Sequence, residues 1–216
     1  MRALSEGDIL FILTALRWTV ALSLVAFIGG GVGGLFVALA RTGEIKWLRW
    51  VMFGYIKIFQ GTPLLMQLFL AYFVPSIFGI DMSPWAAAAI GLSLHASAFL
   101  GEIWRGSIEA VPKGQWEGAR ALGLSYVPRM FLIIMPQALK LAIPPTIGFL
   151  VQLIKGTSLA SIIGFVEITR AAQVINNATF RPFTIFAMVA VVYFLVCWPL
   201  SAYSRRMERK LAVATR

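Results

Sequence analysis

Residues Val111–Pro136 read V-P-K-G-Q-W-E-G-A-R-A-L-G-L-S-Y-V-P-R-M-F-L-I-I-M-P. This is the longest run without a membrane-grade apolar core, and it lies between two segments that have one. Lys113, Glu117, Arg120 and Arg129 are set among small and apolar residues. Good helix formers from Glu117 to Leu124 predict a short helix, and Arg120, three residues after Glu117, can share its face. Pro112 and Pro128, both poor in a helix interior, bracket it. The pattern predicts a short amphipathic helix on a membrane surface, joined to a span on either side.

Composition supplies the spans. Of 216 residues, 59% are hydrophobic and 13% charged, too few charges for a soluble domain of this size. Apolar runs of about 20 residues, enough to cross the hydrocarbon, recur along the chain and make it a polytopic membrane protein. The net charge of +10 does not indicate nucleic acid, because the basic residues occupy short inter-span segments rather than one folded face. The single cysteine, Cys197, reads as a small buried hydrophobe. It permits neither an internal disulfide nor a cysteine zinc cluster. No small-residue cleavage site closes a short apolar segment, so the first span is expected to act as its own insertion signal.

In chain order, the first span is expected at about Trp18–Leu39. Within it Gly29 and Gly33, and Gly30 and Gly34, are four apart and make a very small helix face that allows close approach of another helix. A phosphate-cradling loop is excluded, since no Lys-Ser or Lys-Thr pair follows at Walker spacing. Arg41–Lys57 reads as a basic loop. The second span is expected at about Thr62–Phe78, with Thr62 and Pro63 as its helix start. After a tight turn at Pro75–Pro84, the third span, about Trp85–Trp104, carries His95 between Ser93 and Ser97. An ionisable residue inside a span is a functional candidate; the alternative is a neutral, hydrogen-bonded packing histidine. Glu102 and Arg105 are expected to pair locally. The fourth span, about Met130–Ile154, holds Pro136, Pro144 and Pro145, which neighbouring helices must accommodate. Ala160–Arg181 predicts a partly embedded helix pair on the outer side. The fifth span, about Phe183–Tyr203, ends in the basic run Arg205–Lys210.

The Val111–Pro136 stretch resembles the cytoplasmic loop of permease subunits of binding-protein-dependent ABC importers. That loop is patterned Glu-Ala-Ala, three residues, Gly, nine residues, Ile, one residue, Leu-Pro. Glu117, Ala119, Gly123, Ile133 and Pro136 fall on the spacing; Gly118 stands for the middle Ala and Met135 for the Leu. The flanking residues Lys113–Glu117 and Pro136–Lys140, with Gly61-Thr62-Pro63-Leu64-Leu65 and Gln67, resemble the polar amino-acid members of that family, the histidine, glutamine, glutamate and arginine type. The resemblance covers about Trp18 to Lys210.

It implies an all-α, type I importer permease fold: five core transmembrane helices and a cytoplasmic coupling helix in a polytopic inner-membrane protein. Residues 1–216 would form one permease domain with its coupling loop at about 106–129. Glu117, Gly118, Ala119, Gly123, Leu124 and Pro136 would couple the chain to an ATPase. The implied partners are a dimer of ABC ATPase subunits, a second permease, identical or homologous, and an extracytoplasmic amino-acid-binding protein. Membrane lipid surrounds the chain, and nucleic acid has no part. The chain itself would hold no cofactor and catalyse nothing, ATP and Mg being held by the partner ATPase. Where the family has Lys-Asp-Thr-Ser-Leu, this chain has Lys155-Gly156-Thr157-Ser158-Leu159. Gly148-Phe149 stand where Asn-Glu is frequent, and His95 where a small polar amide is frequent.

His95, Lys155, Thr157, Ser158 and Glu167 are the polar residues expected to contact an amino-acid zwitterion, whose carboxylate seeks cations or backbone donors and whose ammonium seeks carboxylates. The competing reading has Thr157 and Ser158 capping the next helix and Lys155 at the interface. Under five spans, Arg41, Lys46, Arg49, Lys57, Arg105, Lys113, Arg120, Arg129, Lys140, Arg205, Arg206, Arg209, Lys210 and Arg216 fall on one side. Arg2, Arg17, Lys155, Arg170 and Arg181 fall on the other. The positive-inside rule then puts the N-terminus outside and the C-terminus in the cytoplasm, with Val111–Pro136 where an ATPase would be. The other function class, an ATP-independent channel or secondary transporter of small solutes, needs an inverted repeat or a membrane-centred ion site, and the sequence has neither.

Overall fold

A computed structural model describes residues 3–214; Arg2 and Arg216, which entered the charge assignment, lie outside the described residues. Helix α1 (Glu6–Thr42) runs for 37 residues, about 55 Å at 1.5 Å per residue. It begins well before the expected span because Asp8 reaches back to accept the Ser5 backbone N–H at 2.9 Å, occupying a first-turn carboxylate in a cap.

The most extensive helix pair joins α1 to α4 (Pro84–Glu109). Gly30 and Gly34 are buried in that contact. A Cβ at Gly33 would lie 2.8 Å from the Ser97 Cβ, and one at Gly34 would lie 2.9 Å from the Leu100 Cβ. At Gly30 it would collide with Ala96. The expected small face is therefore used in full, and the two backbones approach closely enough to gain dispersion that lipid-facing leucines could not supply. Leu22, Ala26, Leu92, Ala96 and Leu100 form the centre of the resulting core.

The segment expected as a basic loop is helical. Helix α2 (Lys46–Gly61) leads into α3 (Leu64–Ile77), and the two axes bend by 105°. Thr62 and Pro63 are a break within the apolar segment rather than its start. Proline forces the residue before it into extended backbone, and Thr62 stands at φ −116°, ψ 146°. Thr62 Oγ1 donates back to the Ile58 carbonyl at 2.7 Å, so it closes α2 and caps nothing in α3.

Helix α5 (Lys113–Ala121) lies between α4 and a single turn, α6 (Tyr126–Pro128). A π-helical stretch, Arg129–Ile134, then feeds α7 (Met135–Gly156). Pro136 has no N–H to give to Leu132, and the wider π register before it absorbs that loss; the Met135 N–H bonds the Met130 carbonyl. Helix α7 ends in a 3₁₀ turn, Thr157–Ser161. The expected helix pair after it is one helix, α8 (Ile168–Thr179), and α9 (Pro182–Ala214) completes the chain. Gly164 at φ +90° turns the chain between the 3₁₀ stretch and α8, consuming residues that a second helix would have needed.

Among the described residues, four segments are long and apolar enough to cross a membrane: Glu6–Thr42, Pro84–Glu109, Tyr126–Ser161 and Pro182–Leu211. The bent α2–α3 pair makes the fifth if it counts as one span. Replacing Gly30 by Leu is expected to destabilise the protein by about 1–3 kcal/mol through overpacking, read as a lowered melting temperature in detergent. Val32→Leu, on the exposed face of the same helix, serves as the control and is expected to change little.

Candidate functional site

The α2–α3 break meets the end of α7 inside the bundle. A Cβ on Gly156, the last residue of α7, would lie 3.1 Å from Leu64 Cδ2 at the start of α3, so the end of α7 rests on the second half of the bent α2–α3 pair. Trp104 Nε1 donates to Thr146 Oγ1 at 2.8 Å and fixes the register of α4 against α7. His95 lies nine residues before Trp104 and Lys155 nine residues after Thr146. In antiparallel helices that puts the two side chains level with each other, close to the midpoint of α4.

The α2–α3 break is held by one amide. Gln67 Nε2 donates to the Phe59 carbonyl at 2.8 Å, to the Thr62 carbonyl at 3.1 Å and to Thr62 Oγ1 at 2.9 Å. These include backbone acceptors left without helical partners where α2 stops. Gln67 Oε1 is thereby left to accept, and it lies 2.9 Å from His95 Nδ1. The network assigns the proton to Nδ1 and leaves Nε2 of His95 as an acceptor. The His95 ring packs on Phe99, with centroids 4.5 Å apart, and Phe99 stacks on Phe149 at 5.5 Å and 14°.

Beside this network lies a cavity of about 480 Å³. His95, Phe149, Gln152, Lys155 and Ser158 are among its lining residues. Lys155 also borders a groove of about 340 Å³ along α9, with Tyr193, Cys197 and Arg205. Three of the five residues expected on the pathway, His95, Lys155 and Ser158, therefore share one cavity, and Lys155 is exposed there rather than withdrawn to an interface. Thr157 and Glu167 are placed elsewhere. Both are fully buried. Thr157 Oγ1 donates to the Ile154 carbonyl at 2.7 Å. Ser158 Oγ likewise bonds back, to the Lys155 carbonyl at 2.7 Å, so neither hydroxyl caps a following helix. The cap of α8 is Glu167: its Oε1 accepts the Arg170 N–H at 2.9 Å, and its Oε2 accepts the Tyr193 hydroxyl at 3.2 Å. Gln67 and Gln152 were not singled out as site residues from the sequence; the usable signal was an amide inside an otherwise apolar run.

The second candidate surface is α5. The helix starts four residues earlier than the expected Glu117–Leu124 and ends three residues earlier, its end being set by Gly123. That glycine has φ +75°. The Gly123 N–H bonds the Arg120 carbonyl at 2.9 Å and the Leu124 N–H bonds the Ala119 carbonyl at 3.1 Å. This is a Schellman closure with glycine at its left-handed position, so Leu122 is the C-cap and Leu124 lies beyond the helix. Glu117 is mid-helix and caps nothing; among the described residues it forms no ion pair, with Arg120 or otherwise.

Ala119 is the buried anchor of α5, whereas Glu117, Gly118, Arg120 and Leu122 are exposed. The helix rests on Arg129–Ile134. The buried Arg129 guanidinium lies over Trp116 at 6.0 Å and over Tyr126 at 5.8 Å. Gln137 Nε2 reaches Gln115 Oε1 at 3.3 Å. Pro136 is exposed at the start of α7. The pairing expected of Glu102 and Arg105 is present, at 2.6 Å, and Arg105 also bonds Glu109.

Residues 30–213 match the sequence family described as "Binding-protein-dependent transport system inner membrane component". The probable amino-acid ABC transporter permease protein YckA of Bacillus subtilis (strain 168) is 38% identical over 94% of this chain and 89% of its own. The L-cystine transport system permease protein TcyB of the same organism is 38% identical over 90% and 83%. Among solved structures, an amino acid ABC transporter with histidines is similar at a TM-score of 0.87 and 32% identity, covering 97% of this chain and 100% of that one. The inward-facing MetNI methionine ABC transporter, at 19% identity, shares the fold with a TM-score of 0.79 over 96% of this chain and 99% of that one. The cavity beside the α2–α3 break and the exposed α5 thus belong to a chain of the family of inner-membrane permease components of binding-protein-dependent ABC transport systems.

Proposed function

We propose that this chain is the permease subunit of an ATP-driven importer of amino acids, and that the cavity beside His95, Lys155 and Ser158 is on the path of the substrate. The observation that carries this reading is the meeting of the α2–α3 break with the end of α7 beside a cavity into which His95, Gln152, Lys155 and Ser158 bring polar groups. Irregular backbone at membrane depth is tolerated where it is buried in protein or lines a cavity, and here both apply. The amino-acid class rests on the relatives' names. ATP and Mg are held by a separate ATPase subunit, and two permeases with two ATPases and a binding protein make the working assembly. A two-fold axis along the membrane normal lets two chains of few spans enclose one path.

Coupling runs from α5 inward. A partner seated on the exposed face of α5 bears on the Arg129–Ile134 stretch through Trp116 and on α7 through Gln115 and Gln137. Helix α7, 22 residues long, carries Lys155 one residue from its far end, about 30 Å from its start. A displacement at the cytoplasmic face is thereby delivered at the cavity, and ATP-bound and ATP-free partners favour different arrangements through their different affinity for each.

Four outcomes test this. Glu117→Lys, on an exposed position without packing contacts, is expected to lower ATP-driven uptake in vesicles by at least about tenfold, roughly 1.4 kcal/mol of coupling, with membrane insertion unchanged; unchanged uptake contradicts the reading. Gly118→Ala meets no atom within 4 Å and is expected to slow amide exchange across α5, gaining about 0.5–1 kcal/mol of helix propensity. Gly123→Ala forces alanine into φ +75° and is expected to speed that exchange about fivefold, a cost of about 1 kcal/mol. Finally, the N-terminus lies outside and the C-terminus in the cytoplasm, so a C-terminal alkaline phosphatase fusion is expected to be inactive and a C-terminal green fluorescent protein fusion bright.

A further inference from the structure

We infer that the cavity between α3, α4 and α7 sorts amino acids by side-chain charge: it accepts neutral and acidic amino acids and turns away those with a cationic side chain, Lys155 being the partner of the α-carboxylate. This rests on the reading of the chain as an amino-acid permease.

The charges available at that depth decide the sign. Lys155 is exposed to the cavity and, among the described residues, forms no ion pair. The chain has nine acidic residues, and none lines the cavity. Glu167 is the one acid in the segment that follows Lys155. It is fully buried, and both its oxygens are occupied, by the Arg170 N–H and the Tyr193 hydroxyl. The rest lie towards the ends of spans or in the connecting segments, where Glu102 and Glu109 hold Arg105. Arg205, on the adjoining groove, adds positive charge to the same side.

The zwitterion itself finds complementary groups. The Lys155 ammonium meets the carboxylate. The ammonium of the substrate meets His95 Nε2, which is an acceptor because Gln67 fixes the ring proton on Nδ1. The side chain is then left against Phe149, Leu159 and the amide of Gln152. A cationic side chain there has no carboxylate to meet. Stabilisation over an aromatic face is also restricted, since the His95, Phe99 and Phe149 rings already pack on one another with centroids 4.5, 5.5 and 6.4 Å apart. It stands instead within the same low-dielectric space as the Lys155 charge, a repulsion that lowers affinity by at least about tenfold.

The test is equilibrium binding of radiolabelled L-glutamine, L-glutamate and L-arginine to the permease–ATPase complex in nanodiscs, without binding protein, so that the permease alone selects. Glutamine or glutamate is expected to bind at least about tenfold more tightly than arginine. Lys155→Gln is expected to weaken glutamine and glutamate and to narrow their advantage over arginine, and Lys155→Glu to reverse the order. Arginine binding as tightly as glutamine to the unaltered complex overturns the inference without touching the permease reading, as does an unchanged ratio in a folded Lys155→Glu complex. Should either variant fail to assemble, the ratio measured on the unaltered complex decides. If none of the three binds the unaltered complex, and none is taken up with a binding protein present, the amino-acid reading falls and the inference with it.

Discussion

A backbone carbonyl inside a membrane has no water to turn to, and this structure breaks one of its apolar segments, between α2 and α3. The α2–α3 break persists because Gln67 supplies donors to Phe59 and Thr62, at a cost otherwise of several kcal/mol per unsatisfied group. The same amide fixes the tautomer of His95. One side chain thus makes the kink possible and sets the polarity of the ring beside the cavity. Removing it would leave carbonyls unpaired and the ring free to turn, so the shape of the site and its chemistry share a single support.

The remainder of the bundle keeps this arrangement rigid. Close contact of α1 and α4 along the glycine face leaves α4 little room to slide, and α4 carries His95. Trp104 and Thr146 lock α4 to α7, and Ser204 Oγ donates to the Pro144 carbonyl at 2.8 Å to tie α9 to α7. Against that frame, α5 is lightly held. It has one buried residue and an exposed charged face, as suits an element meant to be gripped from outside.

The sequence showed the glycine face clearly because four-residue spacing of the smallest side chain has one structural use inside a span. It showed the coupling motif for a similar reason, since Gly123 and Ala119 do what their residue types do best: a left-handed turn and a close contact. It placed the end of the helix three residues too late because propensity was followed past Gly123, where φ +75° ends the helix. The helical nature of Lys46–Gly61 was hidden by basic residues, which in this chain lie on one face of an amphipathic helix rather than in a loop. Thr157 and Glu167 looked like pathway residues because polarity near mid-membrane was taken as exposure to the path. Burial beside Tyr193, a contact 26 residues from Glu167, could not be read from spacing, although the Glu167 cap on the Arg170 N–H is local. Gln67 was quoted for resemblance alone, since its work lies in unpaired carbonyls that only the fold creates.

The central claim is that motion at α5 changes which side of the membrane reaches the cavity. Cys197 is the chain's one cysteine and is buried, so Cys197→Ser gives a cysteine-free background in a single change. Ser158→Cys in that background, in the complex with its ATPase, can be labelled by a membrane-impermeant maleimide from either side. The expected result is labelling from the cytoplasmic side without nucleotide and from the outer side when the ATPase is trapped with ATP. Labelling from the same side in both states, or from neither side in any state, contradicts the account.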